Sequence, residues 1–397
     1  MGVLLNKEEK EMLKGKHGEA VRKSMEMLIA LGEIYGAERL IPVSSVQIAG
    51  VSYHNIGDEG LEFLEDMAKD GRVRVLATLN PAGMDTESWS ALGIPSDFAE
   101  KQIRIISAFE RMGVLTTCTC TPYLIGNLPR FKEHAAWSES SAVCFANSVI
   151  GARTNREGGP SALAAALTGR TAEYGMHVDA NRRAGITVEV KAKIRTEADF
   201  GALAYAIAKK IDGKIPYIRG IKTVDFEQLK IFCAAIATYA GVAMFHMEGI
   251  TPDKTPIPKK RVRIETCDLR EAYENINDEF DDVDFVSVGC PHCSIHEIEK
   301  IAKLVSGKKV KSEFWITTAR STKKLADMLG YTKVIEDAGG KFVCDTCMVV
   351  APLKGRFKTL VTNSAKACYY GRGSNNFKVK LAPLEKCVEA AVMGRWK

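Results

Sequence analysis

The sequence predicts an α/β protein: several α/β/α regions, at least one of them built on a parallel sheet. Three observations predict it. From residue 261 onward, apolar runs of strand length alternate with helical patterns, the order that packs helices on both faces of a parallel sheet. The chain has 397 residues, too many for one ordinary core and enough for two or three domains. Cysteines recur just beyond the carboxyl ends of the expected strands, the edge at which open α/β sheets bind ligands.

The elements follow in order. Residues 7–35 carry a helical pattern. Ser44 to Ser52 reads as a strand and then a turn of small residues. Arg72 to Leu79 alternates as a strand and ends in the loop Asn80-Pro81-Ala82-Gly83. Ser96 is placed to cap a helix that runs to about Met112, with Gly113 to end it. Val114 to Cys118 reads as a strand left through Thr119-Cys120-Thr121-Pro122. Residues 138–160 are small, polar and finally Gly-rich, and Pro160 and Ser161 open an alanine-rich helix. The apolar run from Ile231 to Phe245 is shorter than the roughly 20 residues of a membrane span and reads as a buried helix. Three prolines in residues 251–260 suggest a linker. Beyond it come strand 261–265, helix 268–277, strand 283–288, helix 294–304, strand 311–317, helices 319–329 and 331–338, and strand 341–344. The expected regions are 1–152 with 340–397, then 153–255, then 256–339.

Composition narrows the function. Hydrophobic content of 46% and charged content of 26% are ordinary for a globular chain. A net charge of +6 is small beside 55 basic and 49 acidic residues. The basic run Lys259-Lys260-Arg261 lies among prolines and reads as a solvated linker, so nucleic acid is not an expected partner. No secretory signal and no membrane span are expected, which favours the cytoplasm. In that compartment disulfides are disfavoured, so clusters among the eleven cysteines point to metal or redox chemistry.

Ser294 and Glu297 form a Ser-x-x-Glu capping box, which puts Cys290 and Cys293 ahead of a helix N-terminus, where the helix dipole favours a thiolate. Cys347, in Cys344-Asp345-Thr346-Cys347, follows strand 341–344, and Cys120 follows strand 114–118. Four thiolates from the two C-x-x-C pairs would suit zinc, but zinc-ribbon pairs lie roughly 15–20 residues apart, far closer than these. A thioredoxin-like pair leaves the second pair unexplained. Cys118, Cys144, Cys233, Cys267, Cys368 and Cys387 read as buried thiols. An iron–sulfur cluster suits the arrangement better: with three cysteine ligands, one iron keeps an open position for Lewis-acid chemistry. A glycine turn with Ser52 offers hydrogen bonds to an anion, Asn80 is suited to orienting a hydroxyl or carboxylate, and Glu139 to accepting or relaying a proton. Arg153, Arg156, Lys366 and Arg372 are candidate cations for anionic groups.

Four segments carry a family resemblance: TCTPYLIGNLPRFKEHAAWSESSAVCFANSVIGARTNREGG from Thr119, VGCPHCS from Val288, DTCMVVAP from Asp345 and TNSAKACYYGRG from Thr362. Together they resemble the large subunit of aconitase X, a branch of the aconitase superfamily. The resemblance implies an aconitase-like fold, several α/β/α domains around a central iron–sulfur site, lacking the mobile fourth domain. That domain, with the main catalytic base, is expected on a separate small subunit, giving a heterodimer. The resemblance implies a [4Fe-4S] cluster held by Cys120, Cys290 and Cys347, with Cys344 and Cys347 together as the competing choice. Cys293 is then the unligated neighbour of Cys290. It also implies substrate contacts from Gly50, Val51, Ser52, Asn80, Pro81, Glu139, Ser140 and Lys366. The implied activity is a hydro-lyase that dehydrates (R)-5-phosphomevalonate to trans-anhydromevalonate 5-phosphate in an archaeal mevalonate route to isoprenoids. The alternative substrate is cis-3-hydroxy-L-proline, and the alternative outside enzymes is a structural zinc or iron–sulfur interaction protein.

Overall fold

The computed structural model describes residues 2–396, and the chain falls into two compact units that divide between Arg183 and Ala184. In the first unit, α1 (Lys7–Leu13) opens on an Asn6/Glu9 capping box. The next helix, α2 (Glu19–Tyr35), stops at Gly36, whose φ of 71° only glycine adopts without strain. Then come β1 (Leu40–Pro42), β2 (Ser45–Ile48), α3 (Tyr53–Met67), β3 (Leu76–Leu79) and α4 (Ser96–Arg111). The unit closes with β4 (Ala136–Trp137), α5 (Ser140–Phe145), α6 (Gly159–Thr168) and β5 (Arg170–Ala172). Strands β3, β2 and β4 form a parallel sheet in that order. Val46, Ile48 and Leu79 of the sheet pack with Ile105 and Phe109 of α4 and with Leu163 and Leu167 of α6. Every residue of the central strand β2 is buried, including Gln47.

Two expected strands of this unit shrink. Of Arg72–Leu79, only Leu76–Leu79 pairs; the amides of Val73 and Arg74 bond instead to the carbonyls of Met112 and Ala166 at helix ends. Of Val114–Cys118 there remains one bridge, Thr78 to Leu115. A tight turn from the Thr117 amide to the Leu115 carbonyl then ends the pairing. Cys120 therefore leaves a turn, not a strand.

The second unit begins with β6 (Ile186–Val190), α7 (Glu197–Ile211), β7 (Pro216–Arg219), α8 (Phe226–Tyr239), β8 (His246–Met247), β9 (Arg261–Ile264) and α9 (Thr266–Ile276). Its first sheet is parallel, in the order β8-β7-β6-β9. There follow β10 (Phe285–Cys293), α10 (Ile295–Val305), β11 (Glu313–Thr318), α11 (Arg320–Met328), α12 (Tyr331–Asp337) and β12 (Lys341–Cys344). The last elements are β13 (Thr359–Thr362), α13 (Ala365–Asn375), β14 (Lys378–Leu381) and α14 (Leu384–Met393). These strands make a five-stranded parallel sheet, β12-β11-β10-β13-β14. Helix α8 takes up most of the apolar run and is buried. Among the described residues no helix is long and apolar enough to cross a membrane.

The expected region boundaries do not follow the sheets. Segment 340–397 supplies β12, β13 and β14 to the sheet of β10 and β11, so it belongs with 285–318 and not with 1–152. Residues 153–183 stay in the first unit, where β5 pairs with β1 and Arg153 bridges to His134. The proline segment 251–260 joins β8 and β9 of a single sheet and is a loop rather than a border. Long-range strand pairing sets these borders, and local composition carries no record of it.

Candidate active site

In the first unit the expected substrate contacts converge beyond the carboxyl ends of β2, β3 and β4. Strand β2 runs into Ala49-Gly50-Val51-Ser52 ahead of α3, and Gly50 takes a φ of 76° that suits glycine. Strand β3 runs into Asn80-Pro81-Ala82-Gly83, and the Asn80 amide donates to the Ile48 carbonyl at 2.8 Å. A β-carbon at Gly83 would stand 2.6 Å from Ser52 Oγ, so the two loops touch.

Two buried glutamines that the sequence reading passed over hold this region together. On α4, Gln102 Nε2 donates to the Val51 carbonyl at 2.8 Å. Its Oε1 accepts from the amides of Tyr53 (3.0 Å) and Gly83 (2.9 Å). Gln47 on β2 donates through Nε2 to Asn80 Oδ1 at 3.1 Å, and its Oε1 accepts from the Glu139 amide at 2.9 Å. Asn80 Nδ2 in turn donates to Glu139 Oε2 at 3.2 Å. Glu139 caps α5: its Oε1 accepts from the Ser140 hydroxyl and from the amide and hydroxyl of Ser141. Such a surround of donors suits a carboxylate used as a fixed acceptor. Gly50, Val51, Ser52, Asn80, Pro81, Glu139 and Ser140 are thus brought together within one unit. Cys120, also in this unit, is buried in the turn that the Thr119 amide anchors to the Leu79 carbonyl.

In the second unit the two C-x-x-C segments lie at the same edge of one sheet. Strand β10 continues through Cys293, with a register shift between Val288 and Cys293 against β11, so Cys290 sits within an irregular strand end rather than in a free turn. Gly289 makes this possible: its φ is 102°, and a β-carbon there would stand 2.2 Å from the Thr317 carbonyl oxygen. Thr317 Oγ1 donates to the Gly289 carbonyl at 2.6 Å, and Thr318 Oγ1 to that of Cys293 at 2.7 Å. Ser294 and Glu297 form the expected capping box on α10. His292 Nε2 donates to the Thr346 carbonyl at 3.0 Å, which ties the Cys290 segment to the Cys347 segment. From α8, the fully buried Lys230 donates to the carbonyls of His292 (2.9 Å) and Pro291 (3.4 Å) and pairs with Glu297. Arg320, at the start of α11, pairs with buried Asp345, whose φ of 61° bends the chain between Cys344 and Cys347. Buried Lys366 lies in the first turn of α13, close enough to Cys347 to favour its thiolate, although burial first, and then Cys290, push that thiol up to about 12.

Two of the other expected cations are ion-paired. Arg153 pairs with Asp179 at 3.0 Å and donates to the Gly151 carbonyl. Arg372 pairs with Asp278. Arg156 is exposed.

Cys290 and Cys347 are suited to holding a metal cluster. Both are buried and not disulfide-bonded, and they feel each other's charge. Next to Cys347 in the chain, Thr346 Oγ1 is buried with no hydrogen-bond partner, and a group of that kind calls for a ligand or water. A thiol so deeply buried is a poor ligand until a cation holds it as a thiolate. Among the described residues no three His, Cys, Asp or Glu side chains stand together closely enough to hold a single metal ion.

Parallel sheets flanked by helices, with polar and cysteine-bearing loops beyond their strands, place the chain among multi-domain α/β proteins. The chain belongs to the aconitase X family: models of the aconitase X first, second and third domains match residues 2–180, 184–274 and 283–393. It is 49% identical over 380 residues to the phosphomevalonate dehydratase large subunit of Methanocaldococcus jannaschii, which spans 92% of this chain and 94% of that protein. The crystal structure of Thermococcus kodakaraensis aconitase X in its holo form superposes with a TM-score of 0.90 at 45% identity, covering 98% of this chain and all of that one. The cis-3-hydroxy-L-proline dehydratase of Pseudomonas aeruginosa is 35% identical over 99% of this chain, which spans only 71% of that protein.

Proposed function

We propose that this chain is the large subunit of a hydro-lyase that dehydrates (R)-5-phosphomevalonate to trans-anhydromevalonate 5-phosphate, a step of a mevalonate route to isoprenoids. The observation that carries the reading is the near end-to-end match to a phosphomevalonate dehydratase large subunit. The hydroxyproline reading is weaker, because the dehydratase of that name is a more distant relative, 35% against 49% identical. The name 'large subunit' of the relative supports a separate small subunit as partner, to which the mobile domain is assigned.

The proposed ligands of an iron–sulfur cluster of the [4Fe-4S] type are Cys120, Cys290 and Cys347. When bound, such a cluster with one open iron supplies a Lewis acid for departure of a hydroxyl. The residues of this chain hold and orient the substrate. Lys366, a buried cation at a helix N-terminus, suits an anionic group. Gly50, Val51 and Ser52 offer the donors of a glycine turn. Asn80 and Glu139, held in fixed directions, suit a hydroxyl or carboxylate, with Pro81 shaping the loop and Ser140 supporting Glu139. Glu139 is the candidate proton acceptor on this chain, and the main base is assigned to the small subunit.

The test is anaerobic preparation of the chain with and without its small-subunit partner, followed by iron and sulfide analysis and turnover of 5-phosphomevalonate. We expect iron with equivalent sulfide, turnover by the complex and none by this chain without its partner. Stoichiometric zinc without sulfide would refute the cluster. Turnover by this chain without its partner would refute the two-subunit site.

A further inference from the structure

We propose that Gln47 is a positioning residue: it sets which way the Asn80 carboxamide faces, and so which groups that side chain offers to the substrate. The proposal rests on the reading of Asn80 and Glu139 as substrate contacts.

Gln47 sits in the middle of β2 with no exposed surface, among residues that are otherwise core. A buried primary amide is costly unless its groups are hydrogen-bonded. Here it closes a ring with Asn80 and Glu139 whose direction is forced from one end. The Glu139 backbone N–H is a donor only, so Gln47 must turn Oε1 toward it. Its Nε2 then faces Asn80 and must donate, which requires Oδ1 of Asn80 on that side. Asn80 Nδ2 is left facing Glu139 Oε2, an acceptor. The flipped Asn80 would set its Nδ2 against Gln47 Nε2 and its Oδ1 against the carboxylate, donor to donor and acceptor to acceptor.

The ring joins three segments: the strand β2, the loop after β3 and the N-cap of α5. Fully buried, Gln47 acts through its two neighbours. Asn80 keeps 8% of its surface exposed. A substrate oxygen that meets Asn80 there finds a side chain whose orientation is already fixed, and preorganisation of this kind lowers the cost of binding. A hydroxyl or carboxylate oxygen is the class of group such a face would take.

The decisive variant is Gln47→Glu, which puts an oxygen in place of Nε2. Ionised, that side chain can only accept, and Asn80 must then turn its Nδ2 toward position 47 and its Oδ1 toward Glu139; KM is therefore read up to the highest pH the complex tolerates, because the protonated acid would donate to Asn80 as Gln47 does. Gln47→Met keeps the length and removes the bonds. Both would be prepared anaerobically as the complex with the small subunit, with iron content and melting temperature recorded beside kcat and KM for 5-phosphomevalonate. The expected result for Gln47→Glu is a KM raised by roughly tenfold or more, the scale of one lost oriented hydrogen bond to a charged or buried group, with iron content unchanged. KM within about twofold of the parent for both variants, well inside one such bond, would overturn the proposal.

If the parent complex does not turn over this substrate, the functional reading fails separately. Urea unfolding of Gln47→Met, Asn80→Ala and the double variant then decides the positioning. Non-additive losses support it and additive losses overturn it.

Discussion

Cys290 and Cys293 are three residues apart, and the surrounding chain gives them different environments. Cys293 belongs to the apolar cluster under α10, with Val286, Ile298 and Ile301, and burial first, then Glu297, hold its thiol well above the ordinary range. Cys290 is coupled instead to Cys347. Replacement of Cys290 or Cys347 by serine should therefore strip iron from the protein, whereas Cys293→Ala should keep it and lose only about 1 kcal/mol of stability, the scale of a small core truncation. Iron and sulfide assays on the three variants check this; equal iron loss in all three would remove the distinction. The motifs made these cysteines visible in the sequence, but Gln47 and Gln102 were not visible. A polar residue inside a strand or helix pattern looks like a surface position until the neighbouring segments that satisfy it are known.

At the scale of elements, Lys230 shows how a helix distant in sequence fixes a loop. It lies in an apolar stretch of α8 and is entirely buried, pairing with Glu297 and holding the Pro291 and His292 carbonyls. Lys230→Met leaves Glu297 buried without its counter-ion, a change that costs about 3–5 kcal/mol. Adding Glu297→Leu removes the stranded charge and should recover much of that loss. Urea unfolding of the single and double variants measures it, and a double variant no more stable than Lys230→Met would contradict the role of the pair. The alternation after residue 261 was legible because each helix and strand there has its own period and caps; strand β12 and the Ser294 box fall where the pattern puts them. Strand 114–118 was not legible in the same way. Its β-branched and apolar residues suggest a strand, but Leu115 is 52% exposed and a tight turn at Leu115–Thr117 limits the pairing to one bridge. The region borders failed for a related reason: β13 joins β10 by pairing Leu360 with Phe285, across a separation of about 75 residues that no local signal announces.

The stability of the whole molecule should depend on pH through groups that the chemistry does not use. His177 is buried, and burial first, then His134, Arg182 and Arg153, lower it from its ordinary 6.5 to about 3. His134 Nδ1 lies 3.0 Å from His177 Nδ1, and Nε2 of His177 has no hydrogen-bond partner. The folded state keeps this ring neutral, while the unfolded chain protonates it below about 6.5. Its contribution is therefore full above pH 6.5 and declines as the pH falls toward 3. Between pH 6.5 and 5 the decline from this one group is about 2 kcal/mol. Glu157 runs the other way: burial raises its carboxyl, so its stabilising share is present at low pH and lost as the pH rises beyond 4.5. Acid loss in that window thus belongs to His177 together with His134, whose imidazole burial also lowers. Hydrogen exchange on peptides from residues 134–182, measured at pH 6.5 and pH 5 with correction for intrinsic rates, should show a drop in protection in the parent. In His177→Gln, which keeps a polar side chain without the titration, the drop should be clearly smaller. An equal drop in both proteins would mean that the buried pair contributes no acid sensitivity.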